Sequence, residues 1–327
     1  MRILPNIGAE QPLSDTSRLS SLHPFTARAM ATLFPGLDHY LVDGTPIEPF
    51  HTECDYLPET ILRVIEPTAV LAFLNTSDVV NSANLERKEL VGSRDAMIFH
   101  RRDWLFNHQV AQDTPWLRAA ACFDFTLLSR EEVIARARKV ISQTPRLQEN
   151  RTWKPFFSAS GSGRCAGQGL DLGRDEENFI LNTVHCGLIL EPWVNRLRDL
   201  STQLWLSDNE IHWLSSTVQK VSPAGRYLGL STTWTGTQFP VARIDVSLEA
   251  AHLALAKEIW AHGYRGPLGI DGFDYRESCG SIEHRICEIN ARFTMGHLLI
   301  GIECTPSHQA HSPNEVVKLE LKTHNSG

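Results

Sequence analysis

Two stretches of the chain carry a helical stripe. In SREEVIARARKVISQ (129–143), apolar Val133, Ile134, Ala137 and Ile141 recur on one helical face, and Ser129 with Glu132 makes a capping box. SLEAAHLALAKEIWAHG (247–263) predicts a second helix, with Ser247 as N-cap and Gly263 just past its end. Other segments alternate with period two. DLSTQLWLSDNEIHWLSS reads as a hairpin turning at Ser207-Asp208-Asn209. TWKPFFSASGSGRCAGQG reads as a short strand, a Ser/Gly-rich turn and a return strand, and GLILEPWV as a buried strand ending near Pro192. GPLGIDGFDY and HRICEINA follow as strands, with a turn centred on Cys279-Gly280. TAVLAFLNTSDVVNSANL predicts a buried strand, a polar turn and a further element; DWLFNHQVAQDTPWLR predicts a helix broken before Pro115. Residues 1–65 have weak periodicity, and the tail KLELKTHNSG reads as frayed. Antiparallel hairpins separated by single helices predict an α+β or mixed α/β fold rather than a βαβ array.

At 327 residues the chain can build two or three domains or subdomains. A net charge of −7 argues against a general nucleic-acid surface. Seven dispersed cysteines without a CxxC pair suggest free thiols in a reducing compartment. His51 and Cys54 would open a zinc site only with a second close pair, and none follows. The start has no apolar core of a secretory signal, and AVLAFL (69–74) is too short to span a bilayer, so a cytoplasmic protein without a membrane partner is expected.

Three constellations carry chemistry. If the last hairpin folds symmetrically about Cys279-Gly280, Asp271 lies opposite Glu288, with Cβ atoms about 5 Å apart. Asn290 and, if the strand persists, Arg292 share that face, while Cys287 and Ile289 look the other way. Like charges so placed call for a counter-ion, and a hard divalent cation supplies one. A solvated polar face in a slipped register reads the spacing equally well. The turn SASGSGRCAG (158–167) is neither a Walker A loop nor GxGxxG, but its backbone N–H groups and hydroxyls could cover phosphates. Lys154, in a strand with Trp153, Pro155 and Phe156, is partly desolvated and wants an anion; a snorkelling lysine is the bland alternative. LILEPWVNRLRDLS by itself says only that a strand runs into a hinge.

In this order, the strand lysine, glycine turn, E-P-W-V hinge, later Asp199 and the pair GIDGF…CEINARFTMG resemble the ATP-grasp superfamily of carboxylate–amine ligases over roughly residues 95–305. The resemblance implies two α+β subdomains gripping ATP (96–190 with the flap, 191–327 with the metal site) and a small N-terminal domain (1–95). It implies that Lys154 contacts the α/β-phosphates, with Arg102 or Arg101 standing where relatives carry an earlier lysine. Ser160, Gly161, Ser162 and Gly163 would close over the phosphates. Glu191, Trp193 and Val194 would line the adenine pocket and Asp199 would hold the ribose. Asp271, Glu288 and Asn290 would bind Mg²⁺ or Mn²⁺, and Arg292 would stabilise the transferring phosphoryl group or hold the carboxylate.

Such a ligase phosphorylates a carboxylate with ATP and lets an amine displace phosphate, releasing ADP and phosphate; positioning and charge neutralisation carry the rate. The implied partners are a small-molecule carboxylate and an amine, amino-acid or peptide-like, and a homodimer is compatible with the family. The alternatives are an ATP-grasp phosphotransferase and a non-catalytic nucleotide-binding module.

Overall fold

The structure, a computed structural model, describes residues 1–5, 23–35, 37–41, 43–50, 57–63, 65–66, 68–86, 88–110, 120–123, 128–157, 163–183, 186–222, 227–233, 246–303 and 316–320. Among them three sheets form. β1 (Arg2–Leu4), β2 (Tyr40–Leu41) and β3 (Val70–Ala72) make a parallel sheet in the order β2-β1-β3. This sheet falls largely in the segment whose periodicity is weakest, because its strands are two or three residues long. β4 (Ala121–Phe123), β5 (Arg151–Pro155), β6 (Cys165–Gly167) and β7 (Leu188–Pro192) make an antiparallel sheet in the order β4-β7-β5-β6. β8 (Arg196–Leu206), β9 (Ile211–Val221), β10 (Tyr227–Thr233), β11 (Gly266–Arg276), β12 (Ile282–Asn290) and β13 (Val316–Glu320) form a six-stranded sheet, β12-β11-β8-β9-β10-β13.

Each sheet buries an apolar face under helices, two of which the sequence stripes supply. The helix Arg130–Gln143 has the expected capping box, and its Val133, Ala137 and Ile141 pack with Trp153, Leu188 and Leu190 of the four-stranded sheet. The helix Val246–Ala261 lays Leu255, Ala256 and Ile259 on Leu204, Leu268, Ile270 and Ile289 of the large sheet. It starts at Val246, so Ser247 lies inside the helix and is not its N-cap. The helices Ala96–His100 and Arg102–Val110 also pack on the large sheet, through Ala96, Phe99 and Leu105. The parallel sheet and the helix His23–Thr32 share a core with Trp205, Phe293 and Leu298, and the Phe293 N–H donates to the Phe73 carbonyl at 3.1 Å. Residues 316–320 of the tail pair along β10, so the expectation of fraying fails there: a strand next to an open sheet edge gains a ladder that its own composition does not announce.

The hairpin of β8 and β9 turns where its polar residues predict, the Ser207 N–H donating to the Glu210 carbonyl. The β11–β12 turn carries Gly280 at φ +92°, a left-handed conformation that favours glycine. Five cysteines are free thiols among the described residues: Cys122, Cys165, Cys186, Cys279 and Cys287. No helix among them is long and apolar enough to cross a membrane.

Candidate active site

Asp271 stands directly opposite Glu288 across the β11–β12 ladder, but through a register shift rather than a symmetric turn: from Arg276–Ile282 to Gly272–Ile286 the pairs centre on Cys279 alone, a register that would put Cys287 opposite Asp271. Two pairs further on, Asn290 faces Gly269, and its Nδ2 donates to Asp271 Oδ2 at 3.0 Å. Asp271 Oδ1 accepts from Ser201 Oγ at 2.6 Å and from Gln219 Nε2 at 3.2 Å. Burial, and then the Glu288 carboxylate, push Asp271 up to about 6. Ser201 and Gln219 lie on β8 and β9, strands that nothing in their own pattern marks as functional.

Just past this pair the register shifts. Gly272 faces Ile286, so Cys287 is an extra residue in β12. The bulge overturns the expected facing of Cys287: the thiol packs with Phe273, Tyr275 and Val194 on the carboxylate side, while Ile289 enters the opposite core. Burial raises Cys287 to about 12, with Arg196 and Lys154 pulling the other way. Beyond the bulge a Cβ on Gly272 would come within 2.9 Å of the Arg285 carbonyl and 3.0 Å of His252 Nε2, so only glycine fits without displacement.

The cations converge on this face from four elements. Arg102, at the start of its helix, is buried; its Nη1 donates to the Pro155 carbonyl at 3.0 Å and its Nη2 to Glu288 Oε1 at 2.8 Å. Arg101 instead pairs with Asp103 and lies over the Phe156 ring. Lys154 does have its anion, and it is the protein's own: Nζ donates to Glu191 Oε1 between two buried strands. Burial lowers the Lys154 ammonium, with Glu191 opposing. Burial would raise Glu191, but Lys154, Arg285 and Arg196 together hold it below the usual range.

Two guanidiniums lie against Trp193, Arg164 4.8 Å and Arg196 4.9 Å from its ring centroid. The Trp193 backbone N–H donates to the Asn150 carbonyl. Arg196 Nη1 donates to Asp199 Oδ1 at 2.5 Å and its guanidinium lies 4.1 Å from the Phe273 ring centroid. Arg164 is lowered by burial and then by Arg196 and Arg102; Arg285, on β12, is lowered to about 10 by burial, with Glu191 opposing. Arg164, Arg196 and Arg285 were not among the expected site residues. Arg164 directly follows the glycine turn and Arg196 lies three residues before Asp199, which are the only hints the sequence holds.

Arg292 departs from its expected place. β12 ends at Asn290, and the Arg292 N–H turns back to the Asn290 carbonyl at 2.8 Å. The guanidinium lies 5.1 Å from the Phe73 ring centroid, donates to the Phe293 carbonyl, and acts on Asp271 electrostatically. It thus joins the carboxylate pair to the carboxyl end of β3. Gly163 has φ +68°; Ser160, Gly161 and Ser162 lie outside the described residues, as do His51 and Cys54.

The described residues therefore come together where the four- and six-stranded sheets meet. Among solved structures, N5-carboxyaminoimidazole synthase from Aspergillus clavatus, in complex with ADP and 5-aminoimidazole ribonucleotide, superposes with a TM-score of 0.56 at 11% identity, over 94% of this chain and 78% of that one. The biotin carboxylase domain of 2-oxoglutarate carboxylase from Hydrogenobacter thermophilus, a dimer in complex with MgADP and bicarbonate, gives 0.56 at 11% identity, over 85% and 67%. The chain has the ATP-grasp fold. No family model matches the sequence. The [butirosin acyl-carrier protein]–L-glutamate ligase of Niallia circulans is 32% identical over 136 residues, 39% of this ATP-grasp chain. The aligned stretch spans 31% of that relative's length.

Proposed function

We propose that this ATP-grasp chain is an ATP- and Mg²⁺-dependent ligase that joins a carboxylate to an amine through an acyl phosphate, releasing ADP and phosphate. One observation carries the reading. Five cationic side chains (Arg102, Lys154, Arg164, Arg196 and Arg285) converge on a cleft whose floor holds two opposed carboxylates. The cations suit a polyphosphate, and the opposed carboxylates suit a metal ion between them.

The donor set fits Mg²⁺. Asp271 and Glu288 supply carboxylate oxygens and Asn290 an amide oxygen, all hard ligands. The hydrogen-bond donors Ser201, Gln219 and Asn290 around Asp271 are neutral, and its raised pKa reports the missing compensation. When bound, the ion would neutralise charge on the phosphates and on the carboxylate pair together.

The chain's own residues then divide the work. Lys154 and Arg102 hold phosphate oxygens, each exchanging its carboxylate partner, Glu191 or Glu288, for a phosphate. Trp193 and Val194 flank the base, with Glu191 beside it, and Asp199 accepts from the ribose hydroxyls. Arg292 sits where the γ-phosphoryl group meets the second substrate, and its bidentate fork suits either a phosphate or a carboxylate. The name of the Niallia circulans relative makes L-glutamate the first amino acid to try.

Calorimetry with ATP, followed by ADP release in amino-acid mixtures, tests the reading. Micromolar binding that weakens in Lys154→Ala and amino-acid-dependent ADP release are expected. Unchanged ATP affinity in Lys154→Ala, or AMP as the product, would refute it.

A further inference from the structure

The β5–β6 ladder ends at the pair Trp153 and Cys165, which pack in the core under the helix Arg130–Gln143. Lys154 and Arg164 are the next residues out on the two strands, and strand side chains alternate, so both turn to the opposite face. There Lys154 Nζ donates to Glu191, and the Arg164 guanidinium lies 4.8 Å from the Trp193 ring centroid. Arg196 reaches the same ring from β8, and its Nη1 donates to Asp199 Oδ1 at 2.5 Å. Arg164 Nη2 and Arg196 Nε are buried, and neither has a hydrogen-bond partner among the described residues. A buried donor without an acceptor costs free energy, and more so on a charged group.

The chemistry of the missing acceptor follows from its neighbours. Arg196 and Arg102 both act on Arg164 as like charges. A neutral carbonyl or hydroxyl would satisfy an N–H and leave that repulsion in place. The two carboxylates nearby, Glu191 and Asp199, are already bonded to Lys154 and Arg196. An added anion meets both needs, and a guanidinium suits a phosphate. The place then selects among the phosphates. With the base at Trp193 and the ribose at Asp199, the phosphate beside Arg164 is the one joined to the ribose.

Resting on the ligase reading above, we propose that Arg164 Nη2 donates a hydrogen bond to the α-phosphate of the nucleotide while its guanidinium stays against Trp193, making Arg164 a nucleotide-binding residue. Lys154 and Arg164 thereby hold the nucleotide from the two strands of one hairpin. The phosphate also offsets the repulsion among Arg164, Arg196 and Arg102, which no carboxylate of the chain is left to relieve.

Two substitutions separate phosphate binding from support of the ring. Arg164→Met keeps an apolar chain against Trp193 and removes the donor and the charge. Arg164→Lys keeps the charge and one donor group. Equilibrium dialysis with labelled ADP, competed by AMP and by millimolar adenosine, gives the three affinities in each variant. Arg164→Met should weaken ADP and AMP about tenfold each and leave adenosine within about twofold. Arg164→Lys should lose less than Arg164→Met for both phosphorylated ligands. Equal losses for adenosine and ADP would make Arg164 a support for Trp193 and overturn the inference. Unchanged ADP affinity in Arg164→Met, a loss for ADP without one for AMP, or a loss in Arg164→Lys as large as in Arg164→Met would overturn it too, and all of these leave the ligase reading standing. No ADP binding by the unaltered protein overturns the ligase reading and this inference with it.

Discussion

Asp271 and Glu288 face each other across a half-buried ladder, and Glu288 is bonded by Arg102, 186 residues earlier in the chain. Two like charges opposed in a sheet are destabilising by themselves. Arg102 relieves this from one side only, and it does so while holding the Pro155 carbonyl at the end of β5. The contact that offsets the repulsion is thus also a bridge between the two sheets that form the cleft.

Removing the Glu288 charge sets two effects against each other. It relieves Asp271 and it deprives Arg102 of a charge-assisted hydrogen bond. The second is worth about 1.5–3 kcal/mol and should win. Glu288→Gln should lower metal-free stability in urea denaturation by roughly that amount and abolish ATP turnover. A double-mutant cycle with Arg102→Met should recover part of the loss. A gain in metal-free stability in Glu288→Gln would show that repulsion from Asp271 dominates.

Lys154 and Glu191 form a buried ion pair, so removing one leaves the other unpaired. Lys154→Met should cost about 3 kcal/mol or more of stability. Lys154→Met with Glu191→Gln should recover most of it while nucleotide affinity stays low. Recovered nucleotide affinity in the double variant would remove Lys154 from the phosphate site.

Arg292 lies at the turn after β12, over Phe73. Arg292→Lys keeps the charge and loses the bidentate fork. It should preserve ATP affinity by calorimetry and cut turnover by roughly 10²-fold, the scale for one preorganised donor. Near-normal turnover would assign Arg292 to support of the Phe73 contact alone.

Buried histidines contribute to the acid sensitivity of the fold. Burial lowers His252 to about 3, and His297 to about 4; Nδ1 of His252 is bonded to Thr202 Oγ1 at 2.7 Å and Nε2 of His297 to the Leu204 carbonyl. An ordinary histidine titrates near 6.5 in the unfolded chain, so acid protonates the unfolded state first. The stability they contribute is whole above that value and falls as pH drops towards 3–4. Urea midpoints should decline from pH 7 to pH 4, and His252→Asn should flatten part of the decline. An unaltered slope in His252→Asn would place the acid sensitivity elsewhere.

Local periodicity determined much of this protein. The stripe of Val133, Ala137 and Ile141 and the polar turn at Ser207-Asp208-Asn209 follow from repeats of 3.6 and 2 along contiguous residues, where neighbours in sequence are neighbours in space. Tertiary structure decided the rest. The bulge that turns Cys287 into the cleft is one inserted residue, and it inverts the face of everything before it in β12 without altering the hydrophobic pattern. Where β12 stops at Asn290, Arg292 and Phe293 turn to Phe73, just past β3 of another sheet. The tail pairs because an edge strand was open beside it. The partners of the cleft's charges, Arg102 for Glu288 and Glu191 for Lys154, are chosen by which strands end together, and no spacing along the chain encodes that.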